Sequence, residues 1–320
     1  MSKIRAAVIG VGYLGRFHAQ KYAQLADCEL VAVVDGREDV RNAVAAELRT
    51  SAAADYRELL GKVDAVSVVT PTPAHFAIAD AFLAAGAHVL VEKPITETPD
   101  QARALIAQAR KQRRILQVGH LERFNSAILA AEPYLSTPRF MECQRLAPYK
   151  ERGTDVNVVL DLMIHDIDLV QSLTRSEIVS IDAIGTPVFS GEIDIANARI
   201  RFANGCVANV TASRVSLKSE RKLRIFEDAA YISLDLQQKI LTLIRKREGV
   251  PQPGQLPVSI EEANLEQGDA LKSEIESFLD CIRNDRAPIV SGDDGLRALE
   301  TAIRITEQVH ANLEASRASA

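Results

Sequence analysis

The sequence predicts an α/β protein in two parts: a doubly wound parallel sheet over residues 1–118, then an α+β domain over residues 119–320 whose strands are mainly antiparallel. Three observations predict it. Short Val/Ile/Leu-rich runs without alternation recur through the first 118 residues, as strands buried on both faces require. Ala-, Leu- and Gln-rich stretches separate these runs, and strand–helix–strand repetition implies right-handed crossovers into a parallel sheet. After Gly119 the pattern turns to alternating strands marked off by turn signals, closed by two helices. At 320 residues the chain has room for two domains, taking roughly 150 residues for each.

In chain order, the apolar runs are Ile4 to Ile9, Glu29 to Val34, Ala65 to Val69, His88 to Val91 and Ile115 to Val118. Helices are expected over Pro73 to Ala85 and Thr98 to Arg110. The second starts at Thr98-Pro99-Asp100, because proline in the first turn gives up a donor that has no partner there. Further helices are expected over Leu121 to Leu135 and over Asn157 to Leu173. From Ile178 to Ile244 the chain reads as successive strands. Alternation is clear in Ile193 to Phe202, Asn204-Gly205 signals a hairpin before Cys206 to Thr211, and Tyr231 to Leu234 follows a turn at Glu227-Asp228. Gly249 to Pro257 is a loop, and Glu266 to Asn284 and Gly292 to Ala315 are the closing helices. Two domains in this order suggest a cleft between them.

Composition excludes several function classes. Lys plus Arg total 38 against 43 Asp plus Glu, a net charge of −5, which argues against a nucleic-acid partner. Aromatics are 5% with no Trp, so stacking platforms for single strands are not expected either. With 47% hydrophobic and 25% charged residues the chain is not disordered. Cys28, Cys143, Cys206 and Cys281 form no C-x-x-C pair, so neither a metal site nor a disulfide framework is expected. No apolar run reaches the ~18 residues of a membrane helix, and the N-terminus runs straight into a strand. These features point to a cytoplasmic protein.

The first motif is Gly10-Val11-Gly12-Tyr13-Leu14-Gly15, a G-x-G-x-x-G at a strand end that opens a helix. Gly10 permits the tight turn, Gly12 lets backbone approach a pyrophosphate, and Gly15 allows close helix–sheet packing. The helix N-terminus adds free N–H groups and positive dipole. Asp35 ends the second strand, where its carboxylate would accept from the ribose hydroxyls and repel a 2′-phosphate, favouring NAD. Nearby Arg37 leaves NADP open. Thr70-Pro71-Thr72-Pro73 and His75 follow the third apolar run, where ligands bind in such sheets. Their hydroxyls and backbone are cofactor candidates, although a rigid turn with Thr72 as a helix cap fits the residues equally well. Glu92-Lys93-Pro94 ends the next strand, and a lysine there can donate a proton to, or clamp, a reacting hydroxyl. In the helix expected over Asn157 to Leu173, Asp161 and His165 stand at i and i+4 with Asp168 three further on. A face of that kind offers an imidazole base and a hydroxyl-holding carboxylate.

In this combination and order the residues resemble the Gfo/Idh/MocA oxidoreductase family. The likeness rests on Gly10 to Gly15, Glu92-Lys93-Pro94, Gln117-Val118-Gly119 with Arg123-Phe124, and Asp161 with His165. The resemblance implies a Rossmann domain and a C-terminal α+β domain whose open sheet forms a dimer or tetramer interface. It also implies NAD(P)-dependent oxidation of a sugar or cyclitol hydroxyl. Tyr13, Leu14, Arg37, Thr70, Thr72, His75, Glu92 and Lys93 join the glycines and Asp35 around the cofactor. Lys93 takes the catalytic lysine position, with Asp161 and His165 in the substrate-contacting and acid/base positions. Where many members carry glycines before and within the Asp-to-His helix, this chain has Val158, Val159 and Met163. That variant, with Val118 to Asn125, is similar to a nucleotide-sugar subgroup that oxidises C3 of UDP-N-acetylglucosamine and supplies an aminotransferase. Arg123, Asn125, Arg145, Tyr149 and Arg152 are the further substrate candidates. The last three are expected in a loop before the helix, where arginine could meet a diphosphate. The competing readings are a free-sugar or inositol dehydrogenase, an internal-redox lyase, and a cofactor-sensing regulator without chemistry.

Overall fold

The computed structural model describes residues 3–150, 156–247, 249 and 256–318, and the chain divides into two compact units. The first unit, Met1–Leu121 with Asp269–Leu299, begins with β1 (Ile4–Ile9), α1 (Tyr13–Gln24), β2 (Cys28–Val34), α2 (Glu38–Leu48) and β3 (Ser51–Ala53). It continues through β4 (Ala65–Val68), α3 (His75–Ala84), β5 (His88–Glu92), α4 (Pro99–Gln112) and β6 (Leu116–Gly119). The second unit, Glu122–Gly268 with Glu300–Ala320, holds α5 (Ser126–Ala131), β7 (Phe140–Leu146), α6 (Ile164–Thr174) and β8 (Ile178–Thr186). It adds β9 (Ile195–Phe202), β10 (Val207–Ser213), β11 (Glu220–Phe226), β12 (Ala230–Asp235), β13 (Ile240–Lys246) and β14 (Val258–Asn264). Helix α7 (Ala270–Asn284) belongs to the first unit. Helix α8 (Gly292–Ala318) starts in the first and continues in the second.

The parallel sheet runs β3-β2-β1-β4-β5-β6, so strand order reverses between β1 and β4, the switch point at which such sheets bind dinucleotides. Val8, Ala65, Val66, Val89 and Leu90 are all fully buried, which is why these strands read as unbroken apolar runs. Thr98 caps α4 by accepting from Gln101 N–H, as its sequence promised. The assignment of everything after residue 118 to the second domain is corrected. Leu271, Ile275, Phe278 and Leu279 repeat at helical spacing along α7 and join the same core as Val8, Ala19, Tyr22 and Val33. Lys21 also pairs with Asp269 at 2.6 Å, fastening α7 beside α1.

The second unit is built on an eight-stranded sheet, β14-β13-β12-β11-β7-β10-β9-β8. Of its neighbouring pairs only β7 and β10 run parallel. Alternation is strict: Ala196, Ala198, Ile200 and Phe202 of β9 point to the buried side with Ala208, Val210 and Ala212 of β10. The opposite face is polar, with Asn197 bonded to Thr211 at 2.7 Å and Arg199 to Asn209 at 3.0 Å. The helix expected over Leu121 to Leu135 is instead a 3₁₀ turn, α5 and a second 3₁₀ turn. Asn125 breaks it by capping Ala127 N–H, and Pro133 sits in the last turn. Strand β7 was not foreseen. Among the described residues no helix is long and apolar enough to cross a membrane.

Candidate active site

The glycine motif lies between β1 and α1. Gly10 has φ +86°, a left-handed conformation that a side chain strains, and a Cβ on it would sit 2.7 Å from Val69 O and 2.9 Å from Thr70 Cγ2. A Cβ on Gly15 would come 1.8 Å from Gly10 O, so the turn closes only with glycine at both positions. Gly12 behaves differently. A Cβ there would meet only Arg37 Nη2, at 3.6 Å, which leaves the first turn of α1 open above its backbone. Asp35 Oδ2 accepts from Val11 N–H at 3.1 Å and Oδ1 from Arg37 N–H at 2.9 Å, which aims the carboxylate beside the same turn. Arg37 Nε reaches Asp35 only at 3.5 Å and is largely exposed. Open space over a helix N-terminus with a fixed carboxylate alongside fits a dinucleotide: pyrophosphate on the N–H groups, ribose on Asp35. Tyr13 and Leu14 are exposed at the start of the helix, with Tyr13 edge-on to Phe17.

Beyond β4, Thr70 lies against Gly10, and its buried hydroxyl has no partner among the described residues. Thr72 begins a 3₁₀ turn and caps nothing with its side chain, so the helix-cap reading is corrected. His75 is buried, its Nε2 2.8 Å from Thr70 O and its Nδ1 2.9 Å from Pro94 O. Glu92 ends β5 with its carboxylate turned inward, 3.1 Å from His18 Nε2 and accepting from Lys93 N–H at 3.3 Å. Burial acts to raise the Glu92 pKa, but His18 and Lys93 outweigh it and leave it below the ordinary carboxylate range. The Lys93–Pro94 bond is cis.

In the second unit, the segment carrying Asp161 and His165 is not a regular helix. Residues Val159–Met163 form a π turn, and α6 takes over at Ile164. Asn157 starts it, its Oδ1 accepting from both Val159 and Leu160 N–H at 3.0 Å, while Val158 N–H donates to Ile193 O at 2.9 Å. The wider turn changes the i, i+4 stacking expected of Asp161 and His165. Such turns are frequent at functional sites. Both residues are half-buried, whereas Val158, Val159 and Met163 are fully buried.

Several substrate candidates are instead occupied inside this unit. Arg145 lies in β7, not in a loop, and is 3% exposed. It grips Asp166 with Nε (3.0 Å) and Nη2 (2.8 Å) and Glu122 with Nη1 (2.8 Å). Burial acts to raise Glu122, but Arg145, Asn125 and Arg221 bring it below the ordinary carboxylate range. Asn125 is buried, donating to Glu122 and to Leu236 O. Arg123 holds Asp168 in a fork at 2.6 and 2.9 Å, so Asp168 belongs to that pair. Tyr149 is partly exposed and edge-on to Phe189, and Arg152 lies outside the described residues. Among the described residues no group of three or more His, Cys, Asp and Glu is placed to hold a metal, and the four cysteines are buried thiols. Missed in the sequence were His18, three residues beyond the glycine motif, and Glu274. Only His18 had a local signal, an imidazole on the buried side of α1.

Comparison with known proteins adds to this geometry. Residues 4–120 match the model of the GFO/IDH/MocA oxidoreductase family, NAD-binding Rossmann fold, and residues 118–233 match the GFO/IDH/MocA C-terminal domain. The chain is 41% identical over 315 residues to a UDP-N-acetylglucosamine 3-dehydrogenase of Acidithiobacillus ferrooxidans, covering 98% of this chain and 100% of the relative. It is 25% identical over 319 residues to an inositol 2-dehydrogenase of Rhizobium meliloti, covering 93% and 94% of the two chains. The solved structure of the Acidithiobacillus ferrooxidans enzyme GnnA superposes with a TM-score of 0.91, covering 97% of this chain and 99% of that one. A scyllo-inositol dehydrogenase of Lactobacillus casei, 20% identical, shares the fold with a TM-score of 0.81 over 97% of this chain and 98% of that one.

Proposed function

The chain belongs to the Gfo/Idh/MocA oxidoreductase family, and on that premise we propose that it is an NAD-dependent dehydrogenase acting on the C3 hydroxyl of UDP-N-acetylglucosamine, giving the 3-keto nucleotide sugar. The observation that carries the reading is the full-length 41% identity to an enzyme of that activity. Inositol dehydrogenases stand further off, at 25%.

NAD, once bound, supplies the hydride acceptor. Gly10, Gly12, Gly15 and the first turn of α1 take the pyrophosphate, and Asp35 takes the adenosine ribose. Fixed by Val11 and Arg37 N–H, the Asp35 carboxylate opposes a 2′-phosphate and so selects NAD over NADP. Thr70 offers its hydroxyl to the same ligand. When the C3 carbon gives up its hydride, the hydroxyl proton needs a base. His165 or Lys93 receives it. Asp161 accepts from a neighbouring ring hydroxyl and orients the sugar. With Arg145, Arg123 and Asn125 committed to internal bonds, Tyr149 and Arg152 are the residues left from the sequence to meet the uridine diphosphate. We assign the polar face of the second unit's sheet to a homo-oligomer interface, the reaction to the cytoplasm, and the 3-keto product to an aminotransferase.

The test is NADH formation with UDP-N-acetylglucosamine, free N-acetylglucosamine, glucose and myo-inositol, each with a carbonyl trap. Turnover confined to the nucleotide sugar is expected. Turnover with a free sugar or inositol would overturn the substrate and leave the family standing. Lys93→Met should lower kcat by about a hundredfold or more while leaving NADH affinity nearly unchanged, as removal of a transition-state interaction does.

A further inference from the structure

We propose that His18 and His75 are positioning residues for Lys93, two buried imidazoles that hold the peptide carrying it from opposite sides. The proposal rests on the reading that Lys93 takes part in the reaction.

Strand β5 stops at Glu92, so the ladder that fixes the backbone ends one residue before Lys93. What replaces it is imidazole on both sides. Upstream, His18 is 0% exposed, and its Nε2 lies 3.1 Å from Glu92 Oε1. The other Glu92 oxygen accepts from the Lys93 N–H itself, so the carboxylate links His18 to the lysine's own peptide. Gly119 keeps room for that carboxylate, since a Cβ there would stand 2.8 to 2.9 Å from its atoms. Downstream, His75 is 1% exposed and ties Pro94 O to Thr70 O, joining the loop after Lys93 to the loop after β4.

The hydrogen-bond directions support a built arrangement. An ionised Glu92 only accepts, so His18 Nε2 carries a hydrogen. Nδ1 lies 3.2 Å from Ser67 Oγ, which lies 2.9 Å from the Tyr22 hydroxyl. Each polar side-chain atom in this buried chain has a partner. On the other side both partners of His75 are carbonyl oxygens, which only accept, and a neutral imidazole, with one N–H, donates to one or other of them while its second nitrogen lies against the other. The two side chains meet Lys93 only through its neighbours' atoms and its own main chain. Their contribution is therefore placement.

The experiment uses the full-length protein with NAD and compares His18→Leu, His75→Leu, His18→Gln and His75→Asn. Leucine removes the polar contacts at similar bulk, whereas glutamine keeps an N–H donor at the Nε2 position that meets Glu92 and asparagine keeps one at the Nδ1 position that meets Pro94 O. Three quantities are read: kcat and KM with UDP-N-acetylglucosamine, NADH affinity by fluorescence, and the acetylation rate of Lys93 by peptide mass spectrometry. A misplacement near 1 Å costs about a hundredfold in rate, so each leucine variant should lose roughly that in kcat. In the His18 variants NADH affinity should stay within about threefold. The Lys93 acetylation rate should change, and His18→Gln and His75→Asn should recover most of both losses. Parallel loss of kcat and NADH affinity in His18→Leu, or leucine variants with unchanged kcat and Lys93 labelling, would overturn the proposal. Should a leucine variant not fold, His18→Asn or His75→Gln takes its place, because asparagine stops short of Glu92 and the glutamine amide lies at the Nε2 position, away from Pro94 O. Silence of the parent with the nucleotide sugar would sink the substrate reading alone, since Lys93 labelling still reads the bracket.

Discussion

Glu274 sits in α7 with no exposed surface, and neither carboxyl oxygen has a partner among the described residues. Burial, and then the charge of Glu92, push it well above the ordinary carboxylate range, so the folded protein holds that proton to higher pH than the unfolded chain does. The unfolded chain releases that proton near pH 4, and the folded chain keeps it. Stability is therefore lost as pH rises through this window, by about 1.4 kcal/mol per pH unit. Glu274→Gln carries no such penalty. The variant should match the parent near pH 4 and become the more stable of the two as pH rises above that, in urea melts. Equal stability at every pH would mean that Glu274 is ionised. At this scale the sequence displayed most of the candidate residues: the glycines, Asp35 and Glu92-Lys93-Pro94 each stand in a recognisable local context. Glu274 carries no local sign, because the carboxylate that perturbs it lies far away in the chain.

Elements were harder to read wherever a polar residue is buried. Strand β7, Phe-Met-Glu-Cys-Gln-Arg-Leu, alternates as a half-buried strand should, yet Arg145 occupies a core-side position beside Met141 and Cys143. An arginine there reads as loop, and the sequence offered it to a diphosphate. The structure gives it to Asp166 and Glu122. Removing one partner of a buried ion pair strands the others. Arg145→Met should cost about 3–5 kcal/mol in a denaturant melt, and Arg145→Lys, which keeps the charge but loses the fork, should fall between. A cost below about 1 kcal/mol would place Arg145 in an ordinary surface role. The π turn escaped prediction for a different reason. Asn157 and the Val158–Ile193 contact set how the helix starts, and the latter depends on a strand region over thirty residues away.

On the scale of the whole molecule, two units and their sheet classes were legible because apolar periodicity changes sharply near residue 119. The return of the chain to its first unit was not, since an amphipathic helix does not say which sheet it will cover. Phe278 is fully buried in the core that α7 shares with β1 and α1. Phe278→Ala should cost about 3–5 kcal/mol, and faster hydrogen exchange should appear in β1, β2 and β4 while β9 and β10 keep their protection. Faster exchange in the second sheet alone would assign α7 to the wrong unit. The split has a consequence for synthesis. A ribosome makes the chain from its N-terminus at about 5–20 residues per second. The first unit still lacks α7 and the start of α8 when its sixth strand has emerged, and the second lacks the later part of α8 while its last strand is being made. Neither core can close before those helices follow. The apolar flank of the parallel sheet that α7 covers therefore stays open to chaperones while the whole second sheet is being made.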